Sequence, residues 1–374
     1  MSAPAIRAGP SLWGGVFLFL IVAGALSSLL ALTKGTGFSF RLDDAVPWGL
    51  CVGLDVFCGV ALATGALWVA AVAQTSGLES WRTIRSASLC IGVAAYAVAI
   101  LGAIASLGVR ERAWPAVIQF WSPRSIVSGA VWTVLLLATL MVAEFSSRIS
   151  SASPREWWLQ PVRHLQVALL IAVAVLASMH QIGLTRVITL AQSRFLPLWS
   201  GPRLALQFIL SSICAALAVL LFASWRSLIA FGKRMPMVIV VGVGRVLTIA
   251  VFLYLALRLT DLVERGFGPA LFAVSRQGGL LSLEIALFLL GMMLAGGRET
   301  NPKRLYYGSA MIMAGVVTNR LNTSITALEQ SAGEYYQPNW VEVSVAYCIV
   351  AIGAAIFAVC VKHLPVFVTV TEGE

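Results

Sequence analysis

Ten apolar stretches, each long enough to cross a bilayer, run through nearly all of this 374-residue chain. A bilayer core takes about 20 apolar residues as a helix. Lipid offers no hydrogen-bond partner, so such stretches must satisfy their backbone internally. The expected spans are 12–32, 47–73, 86–107, 125–145, 164–190, 204–224, 235–257, 270–295, 305–327 and 341–361. Only 11% of residues are charged, far below the roughly 25% of a soluble domain. The connections leave no room for a soluble domain. The expected fold is therefore an all-α membrane protein of about ten transmembrane helices, a single integral membrane domain over 1–374. Its chemistry must lie within the membrane or at its surface.

The net charge of +10 is topological rather than a sign of nucleic-acid binding. Counting Arg and Lys on the N-terminus, the even-numbered loops and the C-terminus gives thirteen; the odd loops hold nine. Basic residues concentrate on the cytoplasmic side, so both termini are expected in the cytoplasm. The first apolar run ends in Leu-Ala-Leu-Thr-Lys without a small-residue cleavage site, and reads as a retained helix rather than a signal peptide.

Pro, Gly and aromatic residues punctuate the expected periplasmic connections, as at Leu196-Pro197-Leu198-Trp199 and Gln337-Pro338-Asn339-Trp340. The cytoplasmic loops are plainer and richer in Arg. Pro47-Trp48 before span 2 echoes Pro197-Leu198-Trp199 before span 6. This suggests an internal repeat, 47–190 and 204–327, with two four-helix bundles (spans 2–5 and 6–9) flanked by single helices.

The ionisable residues besides His that fall inside spans include Asp55, Glu144, Arg186, Arg245, Arg276, Glu284 and Arg320. A charge at the bilayer centre costs about 2.5–3.5 kcal/mol on insertion scales, so each needs a partner, a cavity or the interface. Helical rise puts Asp55 about 12 Å below the outer boundary. Arg276, Arg320 and Arg186 lie towards the same side, and His180 in Met179-His180-Gln181 joins them. Glu284 is expected near mid-membrane and Glu144 near the cytoplasmic end of span 4. An outer-half cluster of Asp, His and Arg beneath Trp48 and Trp199 would suit a polar head group with an apolar tail. The alternatives are snorkelling for the arginines, and a structural pair of Arg276 with Asp55 or Glu284.

Other chemistry is poorly represented. The six cysteines fall in spans without a CxxC pair, which argues against an iron–sulfur cluster. No metal site is expected. His164 and His180 share one span and lie about 24 Å apart along it. They cannot clamp one macrocycle, so no haem is expected in this chain. HExxH, GxSxG and P-loop motifs are missing.

The segments Pro47-Trp48-Gly49-Leu50…Asp55-Val56-Phe57-Cys58-Gly59, Glu144-Phe145, Met179-His180-Gln181, Pro197-Leu198-Trp199, Arg258-Leu259-Thr260-Asp261, Leu283-Glu284-Ile285, Arg320-Leu321 and Pro338-Asn339-Trp340-Val341-Glu342 form a series along almost the full length. In order and spacing it resembles the NrfD/HybB-like quinone-interacting membrane subunits. The resemblance implies a haem-free, multi-pass subunit of the bacterial inner (cytoplasmic) membrane. Such a subunit exchanges electrons between menaquinone or ubiquinone and a periplasmic ferredoxin-like iron–sulfur subunit. Through that subunit it would serve a hydrogenase, a molybdoenzyme or a multihaem cytochrome. On this analogy Asp55, His180 and Glu284 would be catalytic. Trp48, Gln181, Arg276 and Arg320 would bind the quinone, and Glu144 would extend a proton path. The chain departs from the family pattern at Gly129, where a Glu is usual, and at Ile182 and Arg186 after His180-Gln181. Two other classes compete: a quinone-inactive structural anchor of such a complex, and a secondary transporter, since buried charges and repeats serve transporters too.

Overall fold

The computed structural model describes residues 12–34, 47–76, 81–106, 126–149, 165–296, 301–333 and 335–369. They form ten long helices: α1 (Leu12–Lys34), α2 (Cys51–Thr75), α3 (Arg82–Ser106), α4 (Ile126–Ile149), α5 (Gln166–Leu190), α6 (Leu204–Phe231), α7 (Met237–Glu264), α8 (Arg276–Ala295), α9 (Pro302–Leu321) and α10 (Trp340–His363). The expected all-α membrane architecture is what the chain adopts. Among the described residues eight of the ten are long and apolar enough to span a bilayer; the described side chains of α4 are apolar over Val131–Phe145, and α9 is more polar than the rest. The helix α9 tolerates polar residues because Ser309, Asn319 and Arg320 are buried in protein rather than exposed to lipid.

We call upper the face at which α2 begins. Helices α2–α5 pack around one apolar core that includes Leu67, Leu89, Leu137, Leu140, Leu170 and Val173. Helices α6–α9 form a second group, joined to the first chiefly through α2 against α6. That joint needs a glycine: a Cβ on Gly65 would sit 1.8 Å from the Ser212 carbonyl oxygen of α6. Small residues let membrane helices approach this closely. Helix α1 packs on α10, and α10 also touches α3, so these two helices lie outside the two four-helix groups.

Two helices contain π-helical stretches, Cys51–Phe57 at the start of α2 and Asn322–Thr326 beyond α9, which continues as Ala327–Ala332. The two stretches touch: a Cβ on Gly53 would lie 2.6 Å from the Ser324 hydroxyl oxygen. Such bulges recur at functional sites. Near the upper face an apolar layer of Phe57, Phe195, Trp199, Phe208 and Leu328 bridges the two groups. At the lower face Lys233 and Arg234 pair with Val368 and Thr369 in a short antiparallel ribbon. The Lys233 ammonium donates to the Val361 carbonyl at 2.8 Å, satisfying the end of α10.

Candidate functional site

The expected single cluster under Trp48 and Trp199 is not assembled. The structure distributes its members over four surroundings. Glu284 of α8 is fully buried, and five side chains donate to its carboxylate. Trp199 Nε1 reaches Oε2 at 3.1 Å and Asn322 Nδ2 the same oxygen at 3.2 Å. Asn319 Nδ2, Arg258 Nε and the Tyr254 hydroxyl reach Oε1 at 2.9, 3.3 and 3.4 Å. A carboxylate has about four lone-pair positions, so Glu284 is saturated. Arg258 also donates to the Leu198 carbonyl at 2.9 Å, tying the connection between α5 and α6 to this centre.

Arg320 adjoins the same network. Its guanidinium donates to Asn319 Oδ1 at 2.7 Å, to the Ser211 hydroxyl at 2.7 Å and to the Phe208 carbonyl at 3.1 Å, and lies 3.6 Å from the Phe208 ring centroid. It is fully buried, so it does not snorkel. Arg186 and Arg245 are exposed on their helices, as snorkelling residues would be. Arg276 neutralises neither Asp55 nor Glu284. It pairs with Glu329 at 2.9 Å and stacks on Tyr335 near the upper face. Burial pushes the Glu329 carboxyl above its ordinary value, and the Arg276 guanidinium pulls it partly back.

Asp55 lies in the π-helical opening of α2, fully buried against α3, where a Cβ on Gly102 would meet its own Cβ at 2.4 Å. Neither carboxylate oxygen meets a nitrogen or oxygen donor among the described residues; the Cys51 thiol, one turn earlier, is the polar group beside them. A second buried carboxylate stands nearby: Glu342, in the first turn of α10, accepts from the Leu50 backbone N–H at 2.6 Å and from the Tyr336 hydroxyl. It thereby caps the N-terminus of α2 from another helix. Trp48 packs its indole between Phe57 and Phe195, with ring centroids 5.6 Å from each.

His180 lies inside the first bundle. Its Nδ1 is 3.1 Å from the Tyr96 hydroxyl of α3, and that hydroxyl also meets the Thr133 side chain of α4. Beside it, Gln181 is fully buried, with neither end of its amide hydrogen-bonded among the described residues. Ile182 points outward and does not crowd this region. Further down α4, Glu144 accepts from Ser86 at 2.6 Å and Gln166 at 3.2 Å and pairs with Arg85 at 2.6 Å.

Between α3 and α4 a cleft of about 400 Å³ opens sideways. Val93, Tyr96, Ala97 and Ile100 line it from α3, and Val134 to Met141 from α4, at helical spacing. Its mouth is apolar and exposed at Ile100 and Ala138; its floor includes the buried Tyr96.

Sequence reasoning missed Tyr96, Thr133, Arg258 and Glu342 as site residues. Tyr96 carried a signal: it is a tyrosine in an Ala-rich apolar run, and a buried Tyr hydroxyl needs a partner. Arg258 was hidden by a boundary, since the span expected to end at 257 runs on to Glu264 and takes Arg258 and Asp261 inside.

The fold and these buried polar centres define a multi-pass, all-α membrane protein with charge held in its interior. No family model matches the chain. It is 25% identical to a protein of Nitratidesulfovibrio vulgaris over 93% of this chain and 92% of the relative. It is 22% identical to a probable Ni/Fe-hydrogenase 2 b-type cytochrome subunit of Escherichia coli, over 96% of this chain and 93% of that protein.

The second relative corrects one expectation. Sequence reasoning gave this chain no haem, yet a protein aligned with nearly all of it is described as a b-type cytochrome subunit, so that expectation is withdrawn. Haem iron takes axial ligands such as His, Cys, Tyr or a Met–His pair. Among the described residues the histidines are His180, with Nδ1 facing Tyr96, and His363, exposed at the lower end of α10. These two cannot clamp one macrocycle, so the described residues do not fit a bis-histidine haem. His164 lies outside them.

Proposed function

We propose that this chain is the quinone-reactive membrane subunit of a respiratory oxidoreductase complex in a bacterial inner membrane. It would exchange electrons between the quinone pool, menaquinone or ubiquinone, and a periplasmic iron–sulfur subunit at the upper face. A hydrogenase is the partner enzyme that the Escherichia coli relative favours. The observation that carries the reading is His180: a buried imidazole hydrogen-bonded to a buried Tyr hydroxyl, inside a bundle whose apolar core is mainly aliphatic. Ionisable groups within the membrane mark substrate and proton pathways.

In this reading the residues divide by surroundings. His180 holds or releases a proton at Nδ1 through the Tyr96 hydroxyl, and Gln181 offers an amide to a carbonyl or hydroxyl oxygen. Asp55, with the Cys51 thiol beside it and no nitrogen or oxygen donor among the described residues, serves proton exchange closer to the upper face. Glu144, held by Arg85 and Ser86, stands at the lower end of the same bundle, where a proton would enter or leave. Glu284 is scaffold, because its five donors leave no position for a substrate atom, and Arg320 belongs with it.

Quinone extraction from the purified complex tests the reading, together with titration of a hydroxyquinoline N-oxide quinol analogue against wild type and His180→Ala. Bound quinone and a weakened inhibitor response in the variant are expected. A complex that contains no quinone, ignores the analogue and still passes electrons among its other subunits would make this chain an anchor.

A further inference from the structure

The cleft between α3 and α4 has the shape and chemistry of a lateral entry for an isoprenoid quinone, and the geometry points to the Tyr96 hydroxyl as the group that receives its head. This rests on the quinone reading above and gives it a place. A volume of about 400 Å³ falls in the range of ligand pockets, about 300–1,000 Å³, which are apolar with a few placed polar groups. The cleft matches that description. Its walls are aliphatic apart from Met141, and its floor bears one hydroxyl, tied to His180 behind and Thr133 beside it.

The two small residues Ala97 and Ala138 keep the helices from filling the space. Both are at least partly exposed, so the mouth faces out of the bundle, where an isoprenoid tail can trail into lipid. A Tyr hydroxyl both donates and accepts. With His180 Nδ1 as the donor behind it, Tyr96 can present its hydrogen to a quinone carbonyl; with Nδ1 as the acceptor, it offers a lone pair to a quinol hydroxyl. No other polar side chain lines the cleft among the described residues. Tyr96 lies ten residues before the end of α3, about 15 Å below its upper end.

The test uses the intact complex and an azidoquinone with a short isoprenoid tail. After illumination the labelled peptide is mapped by mass spectrometry, with and without excess unlabelled quinone. Tyr96→Phe removes the hydroxyl with little change in shape. Ala97→Phe fills the mouth from a partly exposed position. The expected result is competable labelling within 93–100 or 134–141. Affinity should fall up to about tenfold in Tyr96→Phe, the loss of one hydrogen bond, and labelling should vanish in Ala97→Phe. Competable labelling elsewhere, indifferent to Ala97→Phe, would overturn the cleft and leave the quinone reading standing. Labelling of the cleft that added phospholipid displaces and quinone does not would assign it to an acyl chain and overturn the proposal. No competable labelling anywhere, with no quinone in the extract, would remove both.

Discussion

At the residue scale the interior charges are of two kinds, those with every hydrogen bond made and those without. Glu284 is the first kind. Glu284→Ala leaves the buried Arg258 guanidinium without its carboxylate, and losing one partner of a buried pair costs about 3–5 kcal/mol. The expected outcome is a complex with a sharply lower melting temperature or none recovered. Glu284→Gln keeps a polar group in place and should cost less. Glu329 gives a pH prediction. Its carboxyl is raised by burial more than Arg276 lowers it, so the folded protein holds this proton more tightly than the unfolded chain does. Its stabilising contribution is then full below the ordinary value of 4.5 and falls as pH rises through the higher folded value. Melting curves across that window should show the decline in wild type and not in Glu329→Gln. Of the buried charges, Asp55, Glu284 and Arg320 were legible in the sequence because they stand out against apolar neighbours, whereas Arg258 and Glu342 were not. Nor were their partners. Arg276 was expected at the quinone head group, with a pair to Asp55 or Glu284 as the alternative, on depth alone, and depth does not say which way around the helix a side chain points.

At the element scale the joints decide stability. Gly65→Val would push a side chain into the Ser212 carbonyl of α6 and pry the two helical groups apart. Overpacking of this kind costs about 1–3 kcal/mol, read as a lower melting temperature of the purified protein. Glu342→Gln weakens the cap that α10 places on α2, and loss of a cap costs about 0.5–2 kcal/mol. The helices themselves were legible because hydropathy and length leave lipid-spanning segments little choice. The π-helical openings were not, since nothing in Cys51-Val52-Gly53-Leu54-Asp55 separates a π turn from an α turn until Ser324 packs against Gly53.

At the scale of the whole molecule we propose, from the excess of basic residues on its connections, that the lower face is the cytoplasmic one. A fluorescent protein fused after residue 374 should therefore light up in bacterial cells, while an alkaline phosphatase fusion there should be inactive; the reverse result would invert the proposed topology and move the partner to the other side. The grouping of spans 2–5 and 6–9 was readable from spacing, whereas the α3–α4 cleft was not, because a cavity is a property of what two helices fail to fill. The pairing of α1 with α10 bears on how the protein is made. The ribosome releases α1 first and α10 last, so α1 must wait in lipid through the synthesis of more than 300 residues before Cys348 arrives beside its Ile21 and Gly24. Until then the α2 N-terminus also lacks Glu342. A chain halted before α10 would therefore leave two surfaces uncovered, the face of α1 and the N-terminus of α2.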